Sequence, residues 1–220
     1  MMLICGVDEA GRGPAIGPMV LAAAVIDVEK ESLLKDLGAK DSKLIPEPER
    51  DRLYPLIQKH LHTFSTIQLH ASEMDELMNR TSLNEIEAMK IGHLLNGLKT
   101  KPEVVYVDSP DPIASNFGKR IYSYLSFKPK IVAEHKADVN YPIVSAASIL
   151  AKVERDAEIK KLQKKFIDFG NIGSGYSHDE RTIEFLQKYI QKFNCLPECA
   201  RTKWGTNVRL MDARYQTRLF

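Results

Sequence analysis

Three short apolar runs in the chain are each followed by acids. Leu3 to Val7 meets Asp8-Glu9, Val104 to Val107 meets Asp108, and Lys130 to Ala133 is followed within a few residues by Asp138. At the strand ends of an open α/β sheet, the usual place for a ligand crevice, such carboxylates would face one another. They would raise each other's pKa unless cations stood between them. Four hard oxygen ligands without Cys or His suit Mg²⁺ or Mn²⁺, not zinc. Two such ions about 3.5–4 Å apart serve in-line attack on a phosphodiester, one activating water and one stabilising the leaving oxygen. Taken singly, each acid is as well explained as a turn or cap residue. Without the strand order both readings stand.

Between the first two apolar runs lies Gly11-Arg12-Gly13-Pro14-Ala15-Ile16-Gly17. It is not a dinucleotide-binding fingerprint: the third glycine comes one residue too late, a strand-like run follows, and Gly-Lys-[Ser/Thr] is absent. It offers backbone N–H groups that can approach a phosphate or sugar closely, beside an arginine. Ser145, Ser148, Lys152 and Arg155 recur at three- and four-residue steps and so share one helix face. Lys160, Lys161, Lys164 and Lys165 follow, and Arg201, Lys203, Arg209, Arg214 and Arg218 populate the C-terminal stretch. These read as a phosphate-tracking surface, with a solvated helix face the simpler account of residues 160–165. His135, three residues before Asp138, is either a proton shuttle or a structural strand-end residue. Trp204 reads as a packing anchor.

The elements that must position these groups follow from periodicity. Leu3–Val7 and Gly17–Ile26 are apolar strands close enough in sequence for a hairpin-like central pair. Glu47–His60 has helical spacing, Thr63–Leu69 alternates as a half-buried strand, and Val104–Val107 and Lys130–Ala133 are short strands. Ser82 with Glu85 forms a capping box opening a helix with Ile86, Met89, His93 and Leu94 on one face. Pro142 opens a long helix whose apolar stripe runs through Ile143, Ala146, Leu150, Val153, Ala157 and Phe166. After the glycine-rich stretch 170–176, Asp179–Phe193 is amphipathic. Strands come early and helices dominate later, which predicts a mixed α/β sheet with a helical C-terminal portion.

Composition bounds the rest. The chain has 220 residues, 44% hydrophobic and 27% charged, with 31 Lys+Arg against 29 Asp+Glu. That fits a folded protein with one sizeable core and excludes disordered and collagenous classes. A balance of +2 excludes a histone-like binder, so basic surface must come from uneven distribution. Three cysteines match no disulfide scaffold or paired zinc motif, and leave open whether Cys195 and Cys199 pair. No signal peptide is read, and no apolar run approaches the roughly 20 residues of a membrane span. A cytoplasmic protein without membrane association is expected.

Asp8-Glu9-Ala10-Gly11-Arg12-Gly13-Pro14 resembles the opening signature of ribonuclease HII, the type 2 ribonuclease H. So do Lys40-Asp41-Ser42-Lys43, Val107-Asp108-Ser109-Pro110, Glu134-His135-Lys136-Ala137-Asp138, the stretch Ser145 to Asp156, and Gly173-Ser174-Gly175-Tyr176 with Asp179. The motifs keep family order over nearly the whole chain, and their wording is similar to the archaeal branch. The resemblance implies a ribonuclease H-like α/β fold, a mixed five-stranded sheet flanked by helices. It implies a catalytic domain over residues 1–170 and a helical region over 171–220 that helps bind substrate. It also implies cleavage of the RNA strand of RNA–DNA hybrids and incision at ribonucleotides embedded in duplex DNA, leaving 5′-phosphate and 3′-OH. Asp8, Glu9, Asp108 and Asp138 match the catalytic, metal-binding carboxylates, for Mg²⁺ or Mn²⁺ and two ions. Gly11, Arg12 and Gly13 match the loop that reads the 2′-OH, Tyr176 the tyrosine that stacks at the junction, and Lys43 a phosphate contact. A non-catalytic nucleic-acid-binding protein that keeps the fold is the alternative.

The last residues, Gln216-Thr217-Arg218-Leu219-Phe220, resemble a shortened form of the peptide by which replication enzymes dock on the sliding clamp. The competing reading packs Leu219 and Phe220 on the protein's own surface. A monomer is expected.

Overall fold

A computed structural model describes residues 1–38 and 45–216, the last two of these by backbone alone. In chain order the elements are β1 (Leu3–Ala10), β2 (Met19–Asp27), α1 (Glu31–Asp36), α2 (Glu47–His60), β3 (Thr63–Leu69), α3 (Ala71–Leu77) and α4 (Leu83–Gly97). There follow β4 (Val104–Asp108), α5 (Ala114–Ser123), β5 (Lys130–Glu134), α6 (Ala137–Asn140), α7 (Pro142–Lys165), α8 (Glu180–Phe193) and α9 (Gly205–Gln216). The strands form one sheet in the order β3-β2-β1-β4-β5. β1 pairs antiparallel with β2 and parallel with β4, which in turn runs parallel to β5. This is the mixed five-stranded sheet flanked by helices that the resemblance implies. Among the described residues, no helix is long and apolar enough to cross a membrane.

Two compact units emerge from the contacts. The first comprises Met1–Ala10, Val20–Gln68 and Thr81–Glu154; the second comprises Gly11–Met19, Leu69–Arg80 and the described residues from Arg155 onward.

In the first unit, β1 and β2 are central and covered on both faces, so they carry almost no polar residues apart from the acids. Side chains alternate across the strand. Leu3, Cys5 and Val7 enter a core with α4 and α5, through Leu94, Leu95, Phe117 and Ile121. Ile4 and Ala10 enter the opposite core with Leu53 and Ile57 of α2 and Val144, Ala147 and Ile149 of α7. Gly6 lies on that second face for a steric reason: a Cβ there would stand 2.3 Å from the backbone carbon and oxygen of Ile143. The absent side chain lets the start of α7 close directly onto β1.

The second unit has its own core of Ala15, Ile16, Phe166, Ile172, Phe185, Leu186, Cys199 and Ala200. Phe166, expected on the α7 stripe, falls just past the helix end and packs 5.2 Å from Phe185, ring centre to ring centre. Asp179 caps α8, accepting from the Arg181 N–H at 3.1 Å, and Asn194 ends it in a left-handed turn.

Helices α3, α5 and α6 are among those the sequence reading did not locate. α3 is short, α5 contains Gly118 and follows Pro110 and Pro112, and α6 has only four residues, too few for periodicity to show. Strand β1 also runs further than its apolar stretch. It continues through the acids to Ala10, opposite Val20, so Asp8 and Glu9 lie inside the strand and not beyond its end.

Candidate active site

Strand register builds the acidic part of the first unit. Ile4 to Val7 lie beside Val104 to Val107 in parallel, so the next step along both strands sets Asp8 beside Asp108. Both fall on the α7 face, the face that Ile4 and Val104 share. Asp8 is 6% exposed, and its carboxyl is pushed well above its ordinary value. Burial is the main cause, the Glu9 charge comes next, and Asp108 adds to it. The Ser148 hydroxyl and the Glu9 N–H, at 2.8 Å, oppose the rise by donating to the carboxylate. Ser148 belongs to α7, the helix that Gly6 admits to this strand.

Asp108 accepts the Ala137 N–H at 3.0 Å. The preceding Lys136 adopts a left-handed conformation (φ 58°), which turns the chain into α6 and places Asp138 next in line, 3% exposed. Glu134 ends β5 opposite Asp108 and takes hydrogen bonds from the Tyr141 hydroxyl (2.8 Å) and the Asn140 amide (3.3 Å), bracing this turn.

Among the described residues, no group of three or more His, Cys, Asp or Glu side chains is drawn to metal-ligand spacing. The donor set still fits a hard divalent cation. It is all carboxylate, two members are buried, and a cation would relieve the burial cost, and after it the Glu9 and Asp108 repulsion, that raises the Asp8 pKa.

The second unit holds the glycine loop and the tyrosine together. Ala15 N–H donates to the Gly175 carbonyl at 2.8 Å, and Gly17 N–H to the Cys199 carbonyl at 2.9 Å. Gly11 has φ +81°, and a Cβ there would stand 2.4 Å from the Arg155 side chain. Tyr176 borders Gly13, its Cε1 3.9 Å from where a Cβ would be. The ring meets the Arg155 guanidinium at 5.2 Å and the His178 ring at 5.3 Å. Arg155 is 5% exposed and donates to the Ser174 carbonyl at 3.0 Å.

Arg201 departs most from expectation. Read as part of a phosphate-tracking surface, it is fully buried, and its guanidinium donates to the carbonyls of Gly17, Arg12 and Gly11. Burial, then the like charge of Arg155, push it down to about 9. Nothing in the sequence around Arg201 signals this burial except Trp204 three residues on, whose ring covers the guanidinium at 4.8 Å.

His135 sits with its ring nitrogens 3.2 and 3.4 Å from the carbonyls of Ser109 and Pro112, a strand-end contact. Cys195 is exposed and Cys199 buried, both as free thiols. Lys43 and the tail residues Thr217 to Phe220 lie outside the described residues.

Comparison with known proteins agrees over almost the whole chain. The profile of the Ribonuclease HII family matches residues 5–207. Ribonuclease HII of Pyrococcus abyssi is 45% identical over 211 residues, covering 96% of this chain and 92% of that protein. The ribonuclease H2 structure from Pyrococcus horikoshii superposes with a TM-score of 0.90 at 42% identity, covering 98% and 99% of the two chains. The ribonuclease HII in a PCNA:RNase HII complex from Archaeoglobus fulgidus superposes with a TM-score of 0.83 at 39% identity, covering 92% and 95%. Sequence motifs, sheet order and relatives therefore converge: the chain belongs to the ribonuclease HII family and is a ribonuclease H, an endonucleolytic hydrolase.

Proposed function

We propose that the protein cleaves the RNA strand of RNA–DNA hybrids and incises at ribonucleotides embedded in duplex DNA, leaving 5′-phosphate and 3′-OH. The observation that carries this reading is the parallel register that brings Asp8, inside β1, beside Asp108 at the end of β4. Asp8, Glu9, Asp108 and Asp138 are the residues that would hold divalent cations, Mg²⁺ or Mn²⁺, two in number. Bound there, the cations would supply an activated water and charge stabilisation at the leaving oxygen. Ser148 would keep Asp8 oriented, and the Ala137 N–H would do the same for Asp108.

Recognition of ribose is assigned to Gly11, Arg12, Gly13 and Tyr176. The 2′-OH is what separates RNA from DNA, and backbone groups of a glycine turn reach it where side chains would crowd. An aromatic ring can stack at the junction. Lys43 is assigned a phosphate contact. The protein is taken to act as a cytoplasmic monomer, with residues 1–170 as catalytic domain and 171–220 as a region aiding substrate binding.

The test is a duplex DNA carrying one ribonucleotide, incubated with Mg²⁺, with Mn²⁺ and with EDTA, beside an all-deoxy duplex. Cleavage at the ribonucleotide that needs metal and spares the all-deoxy control is expected. Cleavage in EDTA, or of both duplexes alike, would refute it.

A second reading concerns a partner. The tail Gln216-Thr217-Arg218-Leu219-Phe220 is assigned to docking on a sliding clamp, favoured by the PCNA complex of the Archaeoglobus fulgidus relative. Deleting residues 216–220 is expected to remove clamp binding while leaving cleavage of short hybrids and the melting temperature unchanged.

A further inference from the structure

We propose that Arg201 is a positioning residue that sets the Gly11–Gly13 backbone for ribose recognition; this rests on the proposed role of that loop. The Nε donates to the Gly17 carbonyl at 3.0 Å, one terminal nitrogen to the Arg12 carbonyl at 2.9 Å, and the other to the Gly11 carbonyl at 2.5 Å. One guanidinium thus ties the two ends of the loop, six residues apart. The attachment continues on either side. The Arg201 N–H donates to the Ala15 carbonyl at 3.0 Å, and the Asn207 amide donates to both Ala15 and Arg201 carbonyls at 2.8 Å.

Peptide planarity converts these bonds into an orientation. In a trans peptide the carbonyl and the following N–H point in opposite directions. Drawing the Gly11 and Arg12 carbonyls toward Arg201 therefore aims the N–H groups of Arg12 and Gly13 away from it. Tyr176 stands beside Gly13 on this loop. Those two N–H groups are the donors a ribose hydroxyl or its phosphate would meet.

Arginine suits this place for a reason that lysine does not share. Its planar fork presents several fixed donors, whereas an ammonium is a single point. The three loop carbonyls take up the guanidinium. The Trp204 ring lies 4.8 Å from the guanidinium carbon and holds it in place. A residue present only to fill the core would not need all three bonds directed at one recognition loop.

The experiment compares wild type, Arg201→Lys and Trp204→Leu as full-length proteins. Anisotropy in Ca²⁺ measures Kd for a duplex with one ribonucleotide and for its all-deoxy counterpart. Mn²⁺ affinity without nucleic acid and melting temperature are measured alongside. Arg201→Lys is expected to collapse the ratio of the two Kd values toward one and to lower kcat/KM on the ribonucleotide substrate by about ten- to a hundredfold, as small misplacements do. Mn²⁺ affinity is expected to be unchanged. Trp204→Leu, which loosens the guanidinium without removing a donor, is expected to move the same ratio less, and it carries the test alone if Arg201→Lys does not fold. A merely structural role would lower the melting temperature and leave the ratio intact, which would overturn the inference. A ratio of one in the wild type would instead overturn the reading of the loop itself.

Discussion

The Arg155 guanidinium lies 5.2 Å from the centre of the Tyr176 ring, and the same side chain fills the space that a Cβ on Gly11 would claim. One buried arginine thus braces both the ring and the start of the glycine loop. A ring held this way is ready to stack without first being ordered. Tyr176→Ala should weaken incision at a lone ribonucleotide by roughly 1–3 kcal/mol, about 5- to 150-fold in kcat/KM. Tyr176→Phe should retain the part due to stacking. Unchanged kinetics for the alanine variant on that substrate would remove Tyr176 from the site.

Asp108→Asn should abolish cleavage while the protein stays folded. The amide keeps the shape and can still accept the Ala137 N–H, but it removes one charge from the pair formed with Asp8. Loss of that repulsion should leave the apoprotein at least as stable as wild type, read as an unchanged or raised melting temperature in EDTA. Near wild-type hydrolysis of hybrid in Mg²⁺ would contradict the assignment.

Gly6→Ala tests how closely α7 sits on β1. The added methyl would stand 2.3 Å from Ile143 backbone atoms, and backbone cannot swing aside as a flexible side chain can. Overpacking of a tight core costs about 1–3 kcal/mol, and contact with backbone puts this site at the upper end. Urea unfolding should show that loss, and activity should fall with it because Ser148 would be displaced from Asp8. A variant as stable as wild type would mean that the helix contact is loose.

Asp179 supplies a pH dependence. Its carboxylate is held well below the ordinary range by Arg181 first, with the Ser174 and Arg181 N–H groups adding to the effect. A group depressed in the folded state contributes stability above its unfolded pKa of about 3.9, and that contribution fades as pH falls through the folded value. Asparagine remains a good N-cap, so Asp179→Asn isolates the charge. The melting temperature of wild type should exceed that of the variant at pH 7, and the gap should narrow steadily below about pH 4. A gap independent of pH would show that the carboxylate acts through shape alone.

Much of this architecture was legible in the chain. Alternation and apolar runs located all five strands, and the Ser82–Glu85 box, Pro142 and Asp179 marked helix starts, because these signals are local and act within a few residues. The motif acids were legible as residues, as were Gly11, Arg12, Gly13 and Tyr176. Two matters were settled only by the tertiary structure. Strand order and register decide that Asp8 stands beside Asp108, although a hundred residues separate them and neither neighbourhood encodes the pairing. Contact across the chain likewise joins Gly11–Met19 to residues beyond Arg155, and so converts Arg201 from an expected surface charge into a buried clamp. An arginine in a sequence reads as exposed because burying its charge is costly; only a fold that brings several backbone carbonyls to one place, here those of Gly11, Arg12 and Gly17, offsets that cost.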